Sequence, residues 1–87
     1  MGTSGGLYMQ QQLIQLYNDY MRTKQFDISY YRRLSAIVRQ ANDNSSLSQN
    51  LRLIWNRTDT RKYCLDTCRQ RFIAVMATIM PLIQNGV

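Results

Sequence analysis

Residues Thr60–Gln84 read TRKYCLDTCRQRFIAVMATIMPLIQ. Leu65, Cys68, Phe72, Val75, Ile79 and Leu82 alternate in steps of three and four, tracing one seam along a helix. Ile73, Met76 and Met80 add a second apolar stripe, and the intervening Ala74, Ala77 and Thr78 are small. Charge is confined to the first half, since no charged side chain follows Arg71. A helix that is apolar nearly all round is either buried or part of an interface. About 24 residues at 1.5 Å each span roughly 36 Å. A compact domain of this length has a radius of gyration near ~12 Å and a diameter of roughly 31 Å. The helix should therefore bend near Pro81, where a hydrogen bond is lost, or project and need a partner. Phe72, Ile73, Met76, Ile79, Met80 and Ile83 are the candidate self-association surface.

Upstream, three shorter helices are expected to cover this one. Residues 1–6 form a Gly/Ser/Thr-containing tail, expected to be flexible. From Leu7 to Thr23, Met9, Leu13, Leu16 and Tyr20 repeat at helical spacing, and Ile14, Tyr17 and Met21 widen the stripe. Asp27 is a good N-cap for a second helix with Tyr30, Tyr31, Leu34, Ile37, Val38 and Ala41 inward, ending near Asn42. Ser46 and Gln49 have the spacing of a capping box for a third, short helix, with Leu47, Leu51, Ile54 and Trp55 inward. Thr58 or Asp59 then offers a cap for the C-terminal helix. No stretch alternates at period two. The pattern predicts an all-α, compact four-helix domain over 7–87, a bundle or an orthogonal array, with a long C-terminal helix.

Composition narrows the chemistry. Chains this short bury only about 60–65% of their unfolded surface and often rely on disulfides, metals or self-association. Two cysteines make no disulfide framework, and the absence of histidine removes the ordinary zinc ligand set. Cys64 and Cys68 lie one turn apart on the expected helix, where a disulfide between them would be strained. They read as reduced structural thiols, with bridging to a second chain through Cys64 as the other option. Neither histidine nor glutamate is present for general acid–base work, and no phosphate loop or nucleophile elbow occurs. The sequence therefore points to a non-enzymatic protein without cofactor, metal or small-molecule substrate.

The formal charge is +6, and arginine outnumbers lysine, which occurs only as Lys24 and Lys62. A basic, arginine-rich surface suits a polyanion, because guanidinium pairs with phosphate or carboxylate in a planar, two-pronged fashion. The candidate polyanion-binding residues are Arg32, Arg33, Arg39, Arg52, Arg57, Arg61, Lys62, Arg69 and Arg71. Tyr30 and Tyr31 could stack on bases, but at their helical positions they read as core residues.

The expected function is a helical binding and assembly module, a homo-oligomer through its last helix, offering a basic face to nucleic acid or an acidic protein. Small structural proteins, viral ones included, combine these features. The alternative is a peripheral membrane module of matrix type, with its basic face on lipid and Gly2 acylated. Against acylation, the motif requires Ser or Thr where Gly6 stands. No secretory signal or run of ~20 apolar residues is visible, so an intracellular location, cytoplasmic or nuclear, is expected.

Overall fold

The computed structural model describes residues 4–85. Four helices follow one another: α1 (Ser4–Thr23), α2 (Ile28–Gln40), α3 (Ser46–Arg57) and α4 (Leu65–Gln84). Among the described residues there is no strand, as the sequence pattern predicts. α1 packs chiefly on α2 and α3 chiefly on α4, while α2 and α4 pack on each other at the centre. The radius of gyration is 12.5 Å.

The core follows the apolar spacing. Met9, Leu13 and Leu16 enter from α1, Leu34 and Ile37 from α2, and Leu47, Leu51 and Ile54 from α3. α4 supplies Phe72, Val75, Met76, Ile79, Met80 and Ile83. Phe72 has no exposed surface and sits against Tyr20, Phe26 and Tyr30 at ring separations of 5.3, 5.5 and 6.0 Å. Burying such a side chain stabilises the fold by about 1.5–3 kcal/mol.

Helix ends differ from expectation where local side chains compete for backbone groups. α1 begins at Ser4 instead of Leu7. Extending an existing helix needs no new nucleus, so it can run through Gly5 and Gly6 despite their poor propensity. Met1–Thr3 and Gly2, the proposed acylation position, lie outside the described residues. At α1's other end Lys24 takes φ 55°, and its N–H reaches the Tyr20 carbonyl at 2.7 Å. Asp27 caps α2 as expected, accepting from the Ser29 N–H at 2.9 Å. α2 ends at Gln40, just before the expected Asn42. The α3 cap is Ser45 rather than Ser46: its Oγ accepts from the Ser48 N–H, while Gln49 donates to the Asn44 carbonyl.

The largest correction concerns the start of α4, capped by Cys64 and not by Thr58 or Asp59. Asp59 accepts from the Thr60 N–H and the Tyr63 hydroxyl, and Thr60 Oγ1 accepts from the Lys62 N–H. These short-range bonds hold residues 58–64 as a loop where a helical turn was expected. Thr67 then closes the cap, its Oγ1 accepting the Cys64 N–H at 3.1 Å. At 20 residues α4 is about 30 Å long, within the molecule's longest extent of 39 Å. It continues through Pro81, which falls in the last turn, so the predicted overshoot disappears.

Candidate nucleic-acid interface

The nine basic residues singled out from sequence separate into distinct environments. Arg71 is no surface contact: it is 6% exposed and reaches three other parts of the chain. Its Nη1 donates to the Tyr31 hydroxyl at 2.9 Å, its Nη2 to the Trp55 carbonyl at 2.6 Å, and its Nε to Thr58 Oγ1 at 3.3 Å. The guanidinium also lies over the Trp55 ring, and Asp59 stands 3.6 Å away. Arg52 is half-buried and donates to the Ala41 carbonyl at 2.6 Å, satisfying the end of α2. Arg33 bridges to Asp19 across α1 and α2 at 3.0 Å, and Arg69 pairs with Asp66 at 2.7 Å.

Arg32, Arg39, Arg57, Arg61 and Lys62 remain, all exposed. Among the described residues none of these five has a carboxylate within ion-pairing distance. Two of them share a concavity of about 370 Å³ between α2 and the start of α4. Its lining is Ile28, Tyr31, Arg32, Ser35, Arg39, Tyr63 and Cys68. Arg32, Ser35 and Arg39 stand on one face of α2 because they are three and four residues apart. Arg39 Nη2 reaches Ser35 Oγ at 3.4 Å. Asp27 feels the charge of Arg32 without pairing to it, and its carboxyl is held below the usual range first by Ser29.

The rim opposite α2 is the 58–64 loop, tied down by side-chain bonds. Tyr63 is 66% exposed, and its hydroxyl donates to Asp59 Oδ1 at 3.1 Å. That bond pushes the Tyr63 phenol above its ordinary pKa, keeping it a donor. Thr67 Oγ1 donates to the Lys62 carbonyl at 2.8 Å, which anchors the loop to α4. Arg61 and Lys62 precede Tyr63 directly. Tyr30 and Tyr31 pack against Phe72 and Trp55, as their helical spacing suggests. Tyr63 is the residue that sequence reading missed. Its signal was a ring beside two cations at a position belonging to no apolar stripe.

The candidate self-association set is mostly internal. Phe72, Met76, Ile79, Met80 and Ile83 are at most 8% exposed, because α2 and α3 already cover them. Ile73 is the exception at 38%, on an exposed, uncharged face with Ala74, Ala77, Thr78 and Pro81. The thiols divide in the same way: Cys68 is buried and Cys64 exposed, both free. The Thr67 backbone N–H, then its hydroxyl, holds the Cys64 thiol below its usual pKa.

A second concavity, of about 340 Å³ between α1 and α2, is lined by Gln11, Gln12, Gln15, Gln40 and Arg33 with Ala36 and Ile37. Its one cation is already paired with Asp19. Among the described residues no helix is long and apolar enough to cross a membrane. Comparison with protein-family models, with curated proteins and with solved structures finds no match to this chain.

Proposed function

We propose that this protein is a non-enzymatic helical binding module whose α2–α4 groove takes the phosphate backbone of a nucleic acid. The observation that carries this is Arg32 and Arg39, exposed and lacking a carboxylate partner in one concavity, with Arg61 and Lys62 on the adjoining loop. Cations already committed to carboxylates must give up those partners before binding phosphate, whereas these four have no carboxylate to lose, and Arg39 has only a long bond to the Ser35 hydroxyl at 3.4 Å. The net charge of +6 adds a long-range attraction of the same sign.

Fluorescence anisotropy with a labelled oligonucleotide, titrated at several salt concentrations, tests this. Affinity should fall steeply with salt, and Arg32→Gln with Arg39→Gln should flatten the log–log slope by about 1.4–1.8. A slope unchanged by the double substitution removes the groove from the binding surface.

Self-association belongs to the same proposal in a narrower form. It draws support from the uncharged exposed face around Ile73, which offers close approach without desolvating charge.

A further inference from the structure

We infer that the groove takes an unpaired nucleobase, stacked on the Tyr63 ring, with the flanking phosphates on Arg32 and Arg39, so that the ligand is single-stranded nucleic acid. This deepens the phosphate-backbone reading and rests on it. Tyr63 is an exposed aromatic ring lining the same concavity as two arginines without carboxylate partners. An exposed tyrosine on a free loop would lose rotamer freedom on stacking. Here the Asp59 carboxylate already fixes the hydroxyl end of the ring, and Thr67 fixes the loop through the Lys62 carbonyl. The ring is thus held before any ligand arrives, and less ordering is left to offset binding.

The choice of strand state follows from geometry. Stacking needs a base whose face is uncovered, and in a duplex both faces are taken by neighbouring base pairs. The concavity of about 370 Å³ is large enough to receive a nucleobase beside Tyr63. α2 carries Arg32 and Arg39 on the wall of a depression, and Arg33 on that helix is paired with Asp19. Arg61 and Lys62, both exposed, immediately precede Tyr63 on the same loop.

Anisotropy of a labelled oligothymidylate and of a duplex of equal length, at matched salt, tests the inference. The wild type should bind the single strand in preference. Tyr63→Ala should weaken single-strand binding about tenfold and leave duplex binding unchanged, while Tyr63→Phe, which keeps the ring and loses the Asp59 bond, should bind more weakly than wild type but more tightly than Tyr63→Ala and keep the preference. Helical circular dichroism of both variants checks the fold, which a 66%-exposed side chain should not disturb. If Tyr63→Ala binds the single strand as tightly as wild type, or if wild type binds the duplex equally well, the stacking inference is overturned. In that outcome the phosphate reading stands if Arg32→Gln with Arg39→Gln still weakens binding. If that double variant binds like wild type, both fall.

Discussion

The guanidinium of Arg71 lies 3.5 Å from the centroid of the Trp55 ring while its Nη2 donates to the Trp55 carbonyl oxygen at 2.6 Å. One arginine on α4 thus satisfies a carbonyl in the last turn of α3 and stacks on the indole of the same residue. It also bonds to Tyr31 of α2, so three helices meet at one cation. Arg71→Ala removes these bonds together and leaves the Trp55 carbonyl with only the Thr58 hydroxyl, at 3.1 Å, as a side-chain donor. A loss of about 2–4 kcal/mol is expected in urea unfolding. Arg71→Lys keeps charge without the planar fork and should recover less than half of it. Destabilisation below about 0.5 kcal/mol for Arg71→Ala would show that the cluster is only decorative.

Lys24 sits at a left-handed position that glycine adopts without steric cost. Lys24→Gly should stabilise the protein by about 0.5–1 kcal/mol, the relief of strain exceeding the added freedom of the unfolded chain. In thermal unfolding that is a rise of a few degrees, and a fall in midpoint would contradict the cap geometry.

Asp19 is held below the usual carboxylate pKa, first by Arg33 and then by Gln15 and Arg22. A lowered native value means that the stabilisation is complete above the unfolded pKa of about 3.9 and fades as pH falls through the native value. Wild type should therefore exceed Asp19→Asn in urea midpoint at about pH 7, with the difference closing toward about pH 2. A difference that survives acidification would place the effect outside the ion pair.

Cys64 combines exposure with a lowered pKa, whereas Cys68 is 4% exposed. Iodoacetamide should modify Cys64 at least about tenfold faster in the native state, with equal rates in denaturant. Peptide mass spectrometry reads the two sites separately, and comparable native rates would mean that the start of α4 frays.

Ile79 is fully buried and Ile73 is half exposed on the same helix. Ile79→Asp should cost more than about 4 kcal/mol and unfold much of the population, since it strands a carboxylate in the core. Ile73→Asp should leave the fold intact. If the chain self-associates through α4, light scattering should show Ile73→Asp shifting the assembly toward monomer. An assembly untouched by Ile73→Asp would move that interface elsewhere.

Much of the architecture was legible because apolar residues at helical spacing leave one choice of buried face. Leu13, Leu34, Leu51 and Phe72 all lie where the stripes place them. The start of α4 was not legible. Asp59 and Thr60 look like a cap and a first turn, yet their side chains bond within the loop. Residue spacing does not reveal which of two local hydrogen-bond patterns wins.

The sequence by itself determined the number of helices, most of their inward faces and the surplus of positive charge, all properties of neighbours along the chain; Leu65, first in the α4 seam, is instead 59% exposed. Only the tertiary structure decided which cations stay open to a partner. Arg33 meets Asp19 from another helix, Arg52 meets the Ala41 carbonyl, and Arg71 vanishes beneath Tyr31 and Trp55. Arg32 and Arg39 are left facing Tyr63 across a groove. A guanidinium's fate depends on the acceptor that packing brings within a few ångströms, and residues far apart in the chain supply that acceptor. The apolar half of α4 obeys the same logic: its composition allowed either core or interface, and the packing of α2 and α3 over it makes most of it core.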